Sequence, residues 1–224
     1  MQVQAKLKET LNFSVMKKCS FATLVVFFAL PLSSPGAQAG CFDFSAQITE
    51  PKHILVTTDQ SGNLAENLFW AAVRGDVSQP IQVLLKDLED HRSTRSSRID
   101  KMEIKDLKDP NYLIKQEVHS EVDPFPFVKV EWTEIWGFAV TQGTPDHPER
   151  VVISYEKTEG TSHIEHLCGS YVLQKKGDGN TDVFIYEEAK ATGRSEKDTL
   201  QGLQGNLAAF RKLAPGTGRN AKGP

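Results

Sequence analysis
Between Ile99 and Lys190 the hydrophobic pattern has a period of two, and this long alternating tract constrains the fold more than any other feature of the chain. Six segments carry it: Ile99 to Leu107, Tyr112 to Ser120, Phe127 to Thr141, Arg150 to Lys157, His163 to Lys175 and Thr181 to Lys190. Turn-forming clusters stand between them, at Asp109-Pro110-Asn111, Thr144-Pro145-Asp146, Glu159-Gly160 and Lys176-Gly177-Asp178-Gly179-Asn180. Connections this short join antiparallel neighbours, because a parallel pair needs a crossover of about a dozen residues or more. The tract therefore predicts an antiparallel meander and argues against a wound parallel α/β enzyme.

The flanks complete an α+β class. His53 to Thr58 reads as a short strand, followed by a turn over Asp59 to Asn63. The next stretch is ambiguous: Leu64, Leu68, Ala71 and Ala72 would stripe a helix, whereas Leu68, Trp70 and Ala72 alternate. A strand over Asn67 to Val77 is the expectation, folded back on His53 to Thr58 as a hairpin. Ser78 is a plausible cap, with Pro80 in the first turn of a helix striped by Ile81, Leu84, Leu85 and Leu88. Beyond Gly193, Ser195 and Asp198 mark a second helix start, and Leu200, Leu203, Leu207, Phe210 and Leu213 form one apolar stripe. Only the sheet is large enough to cover that stripe. Gly202 and Gly205 each cost about 1 kcal/mol of helix propensity, tolerable if packing repays it or close approach requires it.

Ahead of these elements, Lys17 and Lys18 precede the apolar run Phe21 to Leu30, Pro31 and the small-residue site Ala37-Gln38-Ala39. A positive end, a short apolar core and such a site make a secretory leader. An apolar core of about ten residues falls short of the roughly 20 that a permanent span needs. Cys41 follows closely, as in lipidated proteins, but Gln38 stands where a lipidation box has Leu, so release in soluble form is expected. The division read from the chain is 1–39 as N-terminal extension and leader, 40–214 as one domain and 215–224 as a loose tail. Met1 and Met16 both remain candidate starts, and the expected destination is the periplasm or the exterior.

The 26 Lys and Arg face 29 Asp and Glu; the leader holds four of the bases and one acid, leaving 22 against 28. A domain at −6 is poorly suited to a phosphate backbone, so no nucleic-acid partner is expected. The densest basic stretch, Arg92 to Lys101, includes Asp100, lacks interleaved aromatics and reads as a solvated loop. Cys41 and Cys168 survive maturation and are expected to form a disulfide in an oxidising compartment; two separate thiols are the alternative. No spacing supports a metal site: His163 and Glu165 share a strand face but His166 points away, and His53, His119 and His147 are scattered. Neither a nucleophile elbow nor a phosphate-binding glycine loop is present, so no cofactor is expected.

Element order adds a family likeness. A strand ending in Gly75-Asp76-Val77, the Ser78 to Asp90 helix, the meander, the Gly177 to Val183 turn and the closing helix together resemble the START-like superfamily, also called helix-grip, Bet v 1-like or SRPBCC, including the polyketide cyclase and lipid transport type. The likeness covers about Leu68 to Leu213. It implies a curved antiparallel sheet wrapped around a long C-terminal helix, with a cavity for lipids or other apolar molecules between them. The Asp123-Pro124-Phe125-Pro126-Phe127 segment looks like the lead-in to a middle strand of lipid-binding members. Where many relatives continue with Arg-Asp, this chain has Val128-Lys129-Val130-Glu131, a departure from the phosphatidylcholine carriers.

Alternation places Val128, Val130, Trp132, Glu134, Trp136, Phe138 and Val140 on one inward side. With the resemblance, the expected ligand wall is Val130, Trp132, Glu134, Trp136, Phe138 and Val140, joined by Phe184 and Tyr186 from the last strand and Leu203, Leu207 and Phe210 from the helix. A solid core is the competing reading of the same stripe. The function expected is binding or carriage of a hydrophobic small molecule or lipid by an exported protein. Two alternatives stand beside it: a cyclase- or hydrolase-type enzyme using Glu134, Tyr171 or Tyr186 as acid or base, and an interaction domain with a filled core.

Overall fold
The computed structural model describes residues 41, 42, 44, 57–91, 99–125, 127–177 and 179–213. The leader, most of the His53 to Thr58 segment, the basic Arg92 to Arg98 stretch and the 215–224 tail lie outside the described residues. Those described form eight strands and two helices: β1 (Gln60–Ala65), β2 (Leu68–Val77), α1 (Ile81–Glu89), β3 (Lys101–Leu107), β4 (Ile114–Phe125), β5 (Val128–Gly143), β6 (Pro148–Gly160), β7 (Ile164–Lys176), β8 (Asn180–Ala191) and α2 (Glu196–Arg211).

All eight strands belong to one antiparallel sheet in the order β1-β2-β8-β7-β6-β5-β4-β3. Strands β3 to β8 are the expected meander, each hydrogen-bonded to its sequence neighbour. The sheet is completed where β8 returns to pair with β2, from Phe69 opposite Ala189 to Val77 opposite Thr181. Helix α2 packs on β2, β1 and β8, and α1 meets β6 and β7. This is a helix-grip arrangement.

Three local expectations are corrected. Asp59 to Asn63 is not a turn, since Gln60–Ala65 forms β1, paired with β2 from Gln60 opposite Ala72. The turn lies instead at Glu66 and Asn67, where Asn67 takes the left-handed conformation (φ 59°), one that asparagine tolerates better than most residues. Ser78 does not cap α1; Pro80 occupies that position with extended backbone and no side-chain bond. The strand expected to end at Ser120 runs on as β4 to Phe125, so only the end of the Asp123 to Phe127 segment leads into β5, where Phe127, exposed and left-handed at φ 70°, turns the chain.

The start of α2 follows its sequence signal. Ser195 Oγ accepts from the Asp198 backbone N–H, while the Asp198 carboxylate accepts from the Ser195 N–H, a reciprocal capping box. Leu203, Leu207 and Phe210 are buried on the sheet beside Val73, Val183, Ile185 and Leu173. Gly75 on β2 lets the helix approach, since a Cβ there would meet Leu207 and Arg211. The helix glycines serve no such purpose: both are exposed, nothing lies within 4 Å of a Cβ built on Gly205, and only the Arg194 guanidinium approaches one on Gly202.

The sheet is apolar on both faces. Opposite the helix, Ala72, Val152, Val172, Phe184 and Tyr186 form a second buried cluster with Trp70 against it. On that side too, Cys41 is joined to Cys168 of β7 across 127 residues, with Cα atoms 6.3 Å apart. The Phe42 N–H donates to Glu156 of β6, and the Tyr112 hydroxyl donates to the Phe44 carbonyl. The disulfide thus pins the N-terminal segment onto the outer face. A crosslink of this span removes loop-closure freedom from the unfolded chain, and losing one costs about 2–5 kcal/mol. Reduction, or a Cys41→Ser/Cys168→Ser double variant, is expected to lower stability in urea by an amount in that range. Free-thiol labelling of the unreduced, denatured protein at both cysteines would show that the bond does not form.

Candidate functional site
A row of directly opposed residues crosses the helix-side face: Trp136 on β5, Tyr155 on β6, Gly169 on β7 and Glu187 on β8. The Trp136 and Tyr155 rings stack with centroids 4.4 Å apart. Gly169 leaves β7 without a side chain in this row, so the Tyr155 hydroxyl crosses it and donates to Glu187 Oε2 at 2.8 Å; a Cβ at Gly169 would collide with that hydroxyl. Arg194, just ahead of α2, closes the chain by donating to Glu187 Oε1 and to Thr199 Oγ1.

Above this row lies a cavity of about 390 Å³. The helix packs on β1, β2 and β8, whereas the cavity is walled by the sheet from β8 across to β3: Met102, Trp132, Trp136, Leu167, Ala189 and Ala191 supply much of its apolar surface. Its polar groups are Glu134, Tyr155, Tyr171, Glu187, Arg194, Asn206, Ser120, His91 and His166. Tyr171 accepts from Asn206 Nδ2 of α2 at 3.2 Å, and His91 stands edge-on to Trp136 while bonded to Gln116.

Glu134 is the outlier among them. It is 8% exposed, and Trp136 Nε1 donates to its Oε2 at 3.3 Å. The Trp132 indole N–H is buried without a hydrogen-bond partner; it lies near enough to favour the charged form of Glu134 but outside bonding geometry. Among the described residues no cation pairs with this carboxyl. Burial pushes its pKa from 4.5 up to about 7, and the nearby Glu187 charge adds to the rise. A register shift sits beside it: Thr133 opposes Glu159 and Glu134 opposes Lys157, leaving Thr158 as the extra residue of a bulge. His91 goes the other way, lowered by burial to about 4 and therefore neutral. Burial likewise holds the Tyr155 and Tyr171 hydroxyls well above the usual phenol range.

The structure divides the residues expected to form the ligand wall. Trp132, Glu134 and Trp136 line the cavity. Phe138, Leu203, Leu207 and Phe210 are packed core, with Val140 partly buried against them, and Val130 is buried opposite Val122 on β4. Phe184 and Tyr186 are corrected outright: they lie on the outer face, and Ile185 and Glu187 take the helix side. The reason is register, because Ile185 opposes Val73 and Tyr171, and Tyr171 meets Phe210 of α2. Tyr186 donates to Glu188 and is thereby removed from the candidate acids and bases of the cavity. Sequence reading missed Tyr155, Glu187, Arg194 and His91. Only Tyr155 carried a visible signal, in the alternation Val151, Ile153, Tyr155.

Two groups of metal-ligating types converge among the described residues: Cys41, His166, Cys168 and Glu188, and on the other flank His119, Glu121 and Glu131. In the first, both sulfurs are consumed by the disulfide. In the second, Lys101 and Lys129 already pair with the carboxylates. Among the described residues no helix is long and apolar enough to cross a membrane.

No family model matches the chain, and no curated protein matches it. Solved structures do. A STAR-related lipid transfer protein from Xanthomonas axonopodis is 15% identical with a TM-score of 0.48, over 68% of this chain and 96% of that one. The lipid transfer and protein localization domain of human StarD13 is 12% identical with a TM-score of 0.47, over 65% and 74%. The Zhui aromatase/cyclase from a Streptomyces species is 16% identical with a TM-score of 0.42, over 64% and 89%. At these scores and identities, the functional reading rests on the chain's own cavity.

Glu134 also sets a pH dependence. Its folded pKa is raised, so the native state holds this proton more tightly than the unfolded chain. Its contribution to stability is complete below about pH 4.5 and is lost as pH rises through about 7. His91 acts in the opposite sense, favouring the fold above its ordinary value of 6.5 and withdrawing that support as pH falls towards 4. Comparing variants separates the two. Between about pH 5 and pH 8, the parent is expected to lose up to about 3 kcal/mol relative to Glu134→Gln in urea unfolding. Parallel curves for the two proteins would place Glu134 in contact with water.

Proposed function
We propose that this chain is a binding or carrier protein for a hydrophobic small molecule held in the cavity between the middle of the sheet and α2. The carrying observation is the cavity itself. A solid core would have brought the Trp132 and Trp136 wall into contact with the helix, whereas about 390 Å³ remains open. That volume is near the lower end of the roughly 300–1,000 Å³ usual for small-molecule sites, and apolar lining with a few convergent polar groups is their usual character. The size suits a compact ring system or one short chain better than a two-chain lipid.

The neutral dye N-phenylnaphthylamine is expected to bind saturably, with enhanced emission. Ala191→Phe, at a half-buried wall position, should weaken it by about tenfold while changing stability by less than about 1 kcal/mol. Val140→Phe, which overpacks the core away from the cavity, should cost about 1–3 kcal/mol and leave the dye's affinity unchanged. No saturable binding by the parent protein would rule the carrier reading out.

A second reading, acid–base catalysis on the bound molecule, is favoured by one observation: Glu134 and the Tyr155–Glu187–Arg194 chain converge on the same space. Binding is preferred because the cavity tyrosines, held protonated, cannot serve as bases, and Glu187 is already satisfied by two donors. The export signal supports a place outside the cytoplasm, with residues 40–214 as the working domain. Intact-mass analysis of protein recovered from the periplasm should then show Gly40 at its amino terminus; a retained Phe21 to Leu30 segment would refute export.

A further inference from the structure
We infer that the molecule carried is a compact lipophilic amine, bound with its protonated nitrogen against Glu134 and its apolar body along the Trp132 and Trp136 wall. This rests on the reading of the cavity as a binding site and adds the charge of its occupant. The observation is an imbalance inside the cavity. Of its two carboxylates, Glu187 is neutralised by Arg194 and further satisfied by the Tyr155 hydroxyl. Glu134 has one long bond from an indole N–H and no cationic partner among the described residues. A buried carboxyl in that state is costly, and it either stays protonated or takes a counter-ion.

The surrounding rings favour a counter-ion that is organic and cationic. Trp132, Trp136, Tyr155 and Tyr171 all border the cavity, and aromatic faces attract ammonium groups when water is excluded. An anionic ligand would find the reverse, since Arg194 is committed to Glu187 and to Thr199. Lys157, opposite Glu134 in the β5–β6 register, makes no ion pair with it, and the other cavity carboxylate, Glu187, is paired with Arg194. His91 beyond α1 is neutral, and Tyr155 on β6 and Tyr171 on β7 keep their protons. The cavity residues Met102 and Ser120 of β3 and β4 and Asn206 of α2 are uncharged, and Asp87 of α1 acts on Tyr171. His166 of β7 is held beside the disulfide and Glu188.

The test uses one apolar skeleton with three heads: naphthylmethylamine, naphthylmethanol and naphthoate, titrated into the intact disulfide-bonded protein and followed by tryptophan fluorescence. The amine is expected to bind about tenfold or more tightly than the alcohol, and the carboxylate most weakly. Glu134→Gln should bring the amine and the alcohol to within about twofold of each other. Should that variant fail to fold, the parent protein still decides the matter. Affinity for naphthylmethyl-trimethylammonium, whose charge is fixed, should fall between about pH 8 and pH 5 as Glu134 takes up its proton, while affinity for the alcohol stays flat. Alcohol binding as tight as amine binding, or a fixed-charge ligand indifferent to pH, would overturn the amine assignment and leave the carrier reading standing. Failure of the alcohol and the amine alike would overturn both.

Discussion
Everything in this fold depends on the pairing of β8 with β2. The hairpins of the meander are local and close small loops, whereas this ladder joins Phe69 to Ala189 and Val77 to Thr181, more than a hundred residues apart. It brings Val73 beside Ile185 and gives α2 a surface on which to bury Leu203, Leu207 and Phe210. Without it the helix would keep its capping box but lose the partner that makes burial favourable, and most helical stability in proteins comes from such burial. Long-range closure of this kind is entropically expensive, which is why a nine-residue ladder and a helix laid over it have to act together.

The cavity is a consequence of where that helix lies. Because α2 follows β1, β2 and β8, the centre of the sheet is only partly covered, and its side chains must satisfy one another. They do so by stacking Trp136 on Tyr155 and by linking Tyr155, Glu187 and Arg194 into one hydrogen-bonded chain through the gap left by Gly169. Glu134 is the group left over. Its raised pKa, the adjacent bulge and the unpartnered Trp132 N–H all lie around one empty volume, and misfit to ordinary packing rules is what separates a site from a core.

Legibility varied with the range of the interaction that decides each feature. The Ser195 and Asp198 signal was readable because a capping box is complete within four residues. The turn at Asp59 to Asn63 was misread for the converse reason. Polar residues with a glycine suggest a turn locally, yet Gln60 to Asn63 is an edge strand, held by its bonds to β2 and exposed enough to be polar. In β5 only one side is strongly apolar, so the inward placement of Trp132, Glu134 and Trp136 followed from alternation. In β8 the register of Val183, Ile185, Ala189 and Ala191 carries fewer charges than that of Asp182, Glu188 and Lys190, but the two large aromatics in the second, Phe184 and Tyr186, mask that signal.

By itself the sequence determined the elements from β2 onward, their antiparallel succession, the apolar stripe of the last helix and the two cysteines available for a bond. These follow from side-chain period, turn chemistry and capping, all of which act over a few residues. Only the tertiary structure decided which face of β8 turns inward, that Tyr155 reaches Glu187 across a glycine, and that Glu134 is buried beside open space with no cation among the described residues. Each of these requires strands distant in sequence to be set in one particular register, and a shift of a single residue would send every side chain concerned to the opposite face.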